Sequence, residues 1–275
     1  YIPQPYESGF VHRIADTADL HLPGRGSIYA EDASVQHSRL PEFDLERLKE
    51  LSGEAGKAAD SHSILCCIVQ RGMAEALAGT VLEMGLCVPV VSFGEGMGLR
   101  NKLGLLRITI PIDKEIIYFI VPRHDSNLLE SVAVHKARLD RPGQGFIYQS
   151  DIRAPAVNLR VRHGSRRHAA SMEQIVAALD EIRGSAEWRR SSPSRHGDKA
   201  LSADKSDPLV CLSLMAEEGS LGDFVKAAMD VGAGGATLVP LEYRDYSGAG
   251  AQKFISHARE SCDLIIQKQL QKPII

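Results

Sequence analysis

The chain has 275 residues, 44% of them hydrophobic and 24% charged, an ordinary globular balance with room for about two domains of ~100–200 residues each. Its formal net charge of −3 lacks the basic excess of a phosphate-tracking surface, so no nucleic acid is expected as a partner. There is no uninterrupted apolar stretch of about 18 residues and no basic start running into an apolar segment, so no membrane insertion is expected; the 5 cysteines, odd in number and set in apolar runs, read as reduced thiols of a cytoplasmic protein.

In chain order, Ser8 to Ala18 reads as a helix and Ser27-Ile28-Tyr29 as a strand, introduced by Pro23-Gly24-Arg25-Gly26. Residues 36–62 are polar and read as a linker with a short helix at Asp44 to Leu51. Ile64 to Val69 is a continuous apolar run of strand type. Met73, Leu77, Val81 and Met84 recur at helical spacing, and Gly85 closes that helix. Val88 to Phe93 reads as a strand with Pro89 near its start, followed by a glycine-rich loop. Leu105 to Ile110 and Glu115 to Val121 are strand-like, Asp125 to Leu139 helical, and Phe146-Ile147-Tyr148 a strand. The order β-α-β-β-α-β predicts an α+β, ferredoxin-like sandwich with both helices on one face of the sheet.

Met172 to Trp188 reads as an extra helix within 166–190, and 191–207 as a flexible linker rich in serine and charge. Leu209 to Leu214, Leu221 to Val231 ended by Gly232, Ala236 to Tyr243 and Leu264 to Ile266 then repeat the beginning of the same order.

The repeat is also visible in a motif. Pro142-Gly143-Gln144-Gly145-Phe146-Ile147-Tyr148 matches Pro23-Gly24-Arg25-Gly26-Ser27-Ile28-Tyr29 at five of seven positions. Duplicated units bury the same faces, so one copy interprets the other. The apolar strand twenty residues before the second copy has its counterpart before the first only if Ile274-Ile275 runs on into Tyr1-Ile2. The expectation is therefore two units: one over 63–165, and a circularly permuted one whose first half is 208–275 and whose second half is 1–35. Exchange of these halves between chains is an open alternative.

The central unit resembles the PII nitrogen-regulatory signalling proteins. Phe93-Gly94-Glu95-Gly96-Met97-Gly98-Leu99 opens the loop after the second strand, Pro111 precedes Lys114-Glu115-Ile116-Ile117, and Gly143-Gln144-Gly145-Phe146-Ile147-Tyr148 follows the second helix. The resemblance implies a compact trimer-like arrangement of units, hence a homo-oligomer. It also implies adenine nucleotide (ATP, ADP or AMP) as an effector in the clefts between units, and a loop that regulates a partner protein, an enzyme or transporter, in nitrogen metabolism. No cofactor is required and the chain is read as a regulator, not an enzyme.

Nucleotide-binding residues follow from that resemblance and from phosphate chemistry. Glycine turns let backbone N–H groups converge on phosphate, and arginines add charge-assisted contacts. The candidates are Gly94, Gly96, Arg100, Gly143, Gln144, Gly145, Arg160 and Arg162; in the permuted unit only Arg39 is comparably placed. Typical members carry a lysine where Phe146 stands and another where Ile112 stands, so binding of 2-oxoglutarate is not expected. The central loop contains no tyrosine to accept a uridylyl group; Tyr243 and Tyr246 lie in the corresponding loop of the other unit.

Competing chemistries are less well served. Gly94-Glu95-Gly96-Met97-Gly98 has Leu99 where a dinucleotide fingerprint needs its third glycine, and no glycine-rich run ends in Gly-Lys-Ser/Thr. Adjacent Cys66 and Cys67 point to opposite faces of a strand and do not make one metal site by themselves. The alternative reading is a metal-tolerance or small-molecule-binding protein on the same trimeric ferredoxin-like fold.

Overall fold

The computed structural model describes residues 2, 6–22, 25–32, 46, 49–50, 62–98, 112–157, 172–185, 209–241 and 259–271. The strands are β1 (Ser27–Ala30), β2 (His62–Gln70), β3 (Val90–Gly98), β4 (Asp113–Pro122), β5 (Gly145–Val157), β6 (Leu209–Glu217), β7 (Gly235–Leu241) and β8 (Arg259–Gln267). The helices are α1 (Glu7–Thr17), α2 (Ala74–Glu83), α3 (Arg123–Ala137), α4 (Met172–Arg183) and α5 (Leu221–Asp230). The eight strands among the described residues form one sheet in the order β1-β5-β2-β4-β3-β7-β8-β6, antiparallel at every junction.

Within it, β5-β2-β4-β3 is the 4-1-3-2 order of a split βαβ sandwich. The alternation of β2 explains why its sequence is apolar throughout. Leu65, Cys67 and Val69 pack under α2 and α3 with Leu77, Val81, Leu129 and Phe119. Ile64, Cys66 and Ile68 face the other way, against Ile116, Ile120 and Ile152. A strand covered on both faces loses the polar half of its alternation.

One interaction fixes α2 on this sheet. Met73, the residue before the helix, offers no side-chain cap, so the first N–H groups need partners from elsewhere. Glu115 at the start of β4 supplies them. Its carboxylate accepts from Gly72 N at 2.9 Å and from Ala74 N at 2.7 Å, with the side chain buried. An anion at a helix N-terminus also meets the positive end of the macrodipole.

The same device recurs at the other end of the sheet. Glu260 at the start of β8 is buried and accepts from Leu221 N, the first residue of α5, at 2.7 Å. Glu115 pairs with Val69 and Glu260 with Ala216, one residue from the end of β2 and β6 respectively. The turns into the two helices carry glycines of the same left-handed conformation, Gly72 at φ 89° and Gly219 at φ 86°. Both helices end on glycines at positive φ, Gly85 and Gly232. β6, α5, β7 and β8 are thus joined as β2, α2, β3 and β4 are. Their second strands, β3 and β7, meet antiparallel at the centre of the sheet through Glu95↔Leu238 to Gly98↔Gly235, so a local two-fold relates the two patterns.

The differences from the sequence reading are local. β3 begins after Pro89 and runs on through Gly98, so the segment from Gly94 to Gly98 is strand and not loop. It is held because β4 pairs with its first half and β7 with its second. β5 extends past Tyr148 to Val157 because β1 pairs with residues beyond Ile152. A split βαβ unit sets its fourth strand beside its first, which for 208–275 is β6; the described pairing of β1 is with β5. The expected junction of Ile275 with Tyr1, the strand at Leu105 to Ile110 and the linker 191–207 lie outside the described residues. α4 ends at Arg183, before the Trp188 expected, with Gly184 at φ 67° following it. No helix among the described residues is long and apolar enough to cross a membrane.

Truncating the carboxylate cap tests the account. Glu115→Ala strands the buried N–H of Ala74 and frees the more exposed one of Gly72, and we predict a loss of about 1–3 kcal/mol in urea unfolding. Glu260→Ala removes one such bond, with a predicted loss of about 1–3 kcal/mol. Losses under half a kcal/mol in both would show that water replaces the carboxylates.

Candidate functional site

Strand register collects the glycine candidates at one end of the sheet. Gly145, the first residue of β5, pairs with Val69; Gln70 pairs with Lys114, and Lys114 with Gly94. Gly94 and Gly145 are therefore three strand spacings apart, ~14 Å along the hydrogen-bonding direction. Around them, Gln70 Nε2 donates to Gly143 O at 2.9 Å, Gly96 N donates to Ile112 O at 2.7 Å, and Arg71 pairs with Asp113 at 3.2 Å. Arg100, Arg160 and Arg162, with Arg39, Tyr243 and Tyr246, lie outside the described residues.

The glycines at this end have different reasons to be glycine. A Cβ on Gly94 would lie 2.5 Å from Leu238 O, and one on Gly96 would lie 2.9 Å from the Lys114 side chain. Gly145, at φ 140°, would press a Cβ onto the carbonyl of Ile68. Gly94 and Gly145 are required by the close approach of neighbouring backbone, whereas at Gly96 the neighbour is a flexible side chain that can give way. Gly143 alone of the four opens to free space, a Cβ there meeting nothing within 4 Å, while its φ of 79° makes the turn. Gln144 follows it, its N–H donating to Arg141 O at 3.3 Å. The turn at residues 143–144 is thus the part of the glycine set whose backbone has room to receive a ligand.

Phe146, where the resemblance implies a lysine, is partly exposed on the face of the sheet away from the helices. It stacks with Tyr148 at 6.1 Å between ring centres. Ile112, at the second lysine position, is exposed. No cationic side chain stands at either place.

Sequence reasoning missed the helix-free face as a chemical environment. Tyr29, Tyr118 and Tyr148 gather there with Cys66, and Asp263 on β8 bears electrostatically on all four. Ser213 Oγ donates to Asp263 at 2.6 Å. Burial, then the charge of Glu31, pushes the Tyr29 phenol up to about 12. Burial also raises the Tyr148 phenol, which is hydrogen-bonded to Cys66. The signal was an aspartate inside the apolar run of β8, legible only once the opposing strands are known. Among the described residues no three His, Cys, Asp or Glu side chains group as metal ligands.

Burial pushes Cys66, Cys67 and Cys87 up to about 12, from 9.0 for a free thiol. Between those values the unfolded chain sheds protons that the native chain keeps. Stability is whole below about pH 9 and falls as pH rises through that window.

No family model and no curated protein matches the chain. Among solved structures it is similar to the crystal structure of Arabidopsis thaliana PII bound to citrate, at 17% identity and a TM-score of 0.27, over 39% of this chain and 90% of that one.

Two predictions follow from the glycine geometry and the thiols. Gly94→Ala should cost about 2 kcal/mol or more by wedging β3 from β7, and Gly143→Ala only about 1–2 kcal/mol for its backbone; equal costs in thermal unfolding would refute the distinction. The urea midpoint should be lower at about pH 10.5 than at about pH 8; a flat profile would refute the burial of the thiols.

Proposed function

We propose that the chain is a PII-like regulatory protein that senses an adenine nucleotide and transmits its presence to a partner protein. The observation that carries this reading is the register that sets the turn at residues 143–144 and the Gly94–Gly98 segment at one end of a 4-1-3-2 sheet. The spacing of Pro111, Lys114 to Ile117 and Gly143 to Tyr148 supports it. In this reading the open backbone at Gly143 receives phosphate, and Arg160, Arg162 and Arg100 neutralise it. The chain's own groups bind and orient; no bond is made or broken. A ligand shifts such a protein only by binding one conformation better than another. Phe146 and Ile112 remove the two cations that a dicarboxylate would need, so the sensor answers to nucleotide without 2-oxoglutarate.

Titration calorimetry with ATP, ADP and AMP tests the reading. The expected outcome is a dissociation constant below about 1 mM for at least one of them, weakened about tenfold by Arg160→Ala or Arg162→Ala, ~1.4 kcal/mol each. Adding 2-oxoglutarate should leave the affinity unchanged. Binding that survives loss of both arginines would remove them from the site, and no binding at several millimolar would end the proposal.

A further inference from the structure

The two edges of the sheet are complementary. At one edge, β6 pairs with β8 on one side only in the described sheet order, and Leu209 and Met215 stand 58% and 75% exposed along it. An apolar, unpaired strand edge invites another strand. At the other edge, β1 ends the sheet, held to β5 through three residue pairs with an irregularity between Ile28 and Ala30.

Internal symmetry names the strand that fits β6. β6 corresponds to β2, through Ala216↔Glu260 and Val69↔Glu115. β2 takes as its second neighbour the start of β5, in the register Gly145↔Val69, Phe146↔Ile68 and Tyr148↔Cys66. β5 opens with the Gly-Phe-Ile-Tyr of the repeated motif, and the other copy of that motif opens β1 as Gly26-Ser27-Ile28-Tyr29. The leading glycines share a conformation, φ 131° at Gly26 and 140° at Gly145. At Gly145 that glycine admits the carbonyl of Ile68, whereas a Cβ on Gly26 meets only the Leu20 side chain at 3.5 Å. The close approach that the motif is built for is unused in the first copy.

We infer that β6 is a docking edge for β1 of the same chain, in the register Ser27↔Met215, Tyr29↔Ser213 and Glu31↔Cys211, closing the eight strands into a ring. The docked strand covers Met215 and brings Gly26 against the Met215 carbonyl, as Gly145 meets Ile68. Electrostatics within the single chain agree that these groups are near one another. Glu31 is held above the ordinary carboxylate range by burial and then by Asp263. The Cys211 thiol is raised to about 11 by burial and Asp263, with Glu31 contributing. The occupant is therefore this chain's own β1; the equivalent strand of a second copy is the competing outcome.

Cysteine cross-linking reads the register. Glu31→Cys should form a disulfide with native Cys211 on mild oxidation with copper-phenanthroline, and Tyr29→Cys with Ser213→Cys should do the same. Mass spectrometry should place both links within one chain, while Tyr29→Cys alone should not link to Cys211. In the unsubstituted protein, hydrogen exchange should show every amide of residues 209–217 slowed at least a hundredfold. Links between two chains would replace closure by strand exchange and overturn the inference. Failure of both pairs to link, or free exchange of alternate β6 amides, would overturn it as well.

Discussion

Two buried carboxylates hold this architecture in register. Glu115 reaches from the third strand of its unit to the N-terminus of the helix that follows the first strand, and Glu260 does the same for α5. Each bond ties strand, turn and helix into one rigid corner. The corner also specifies pairing. A one-residue slip of β4 would carry Glu115 to the helix-free face among Ile68 and Ile116, where no helix start would answer its charge. The cost of an unpaired buried carboxylate exceeds what a misregistered apolar strand could recover, so the polar exception, more than the apolar majority, selects the register.

That role was not visible in the chain read as a string. Lys114-Glu115-Ile116-Ile117 was legible as a strand start, and nothing in it gave Glu115 a partner. The apolar runs of β2 and β4 and the helical spacing of Leu77 and Val81 were legible because periodicity is local. The partner of Glu115 lies some forty residues earlier, and no local pattern announces it. The loop expected at Gly94 and Gly96 is strand for a related reason. Their sequence signals a turn, but Gly94 answers to the neighbouring backbone of β7 and Gly96 sits beside the flexible Lys114 side chain. Glycines that make room and glycines that turn share one letter, and only packing separates them. Gly143 does turn, at φ 79°. Of the site, the turn was thus legible, and the strand nature of residues 94–98 was not.

The repeated motif shows the opposite balance. Its two copies were plain in the sequence, and the pairing of β5 with β2 follows for the copy at Gly145. The copy at Gly26 makes a strand with the same leading conformation but lies on β5. Local sequence set the conformation of both strands, while their neighbours were decided by which edges were open. The helix-free face is where these edges converge. Tyr29, Tyr118, Tyr148 and Asp263 come from four different strands, and only a strongly curved sheet brings them within each other's electrostatic reach.

Pinning of β3 also limits how a ligand could act. Gly94 to Gly98 lie in a strand held by β4 and then β7, so movement there would break sheet pairing on both sides. The turn at Gly143 is under no such constraint, and its carbonyl accepts from Gln70 at 2.9 Å. Gln70 is two residues from Gly72, whose N–H is held by Glu115. Gln70 thus links the turn to the corner that anchors α2.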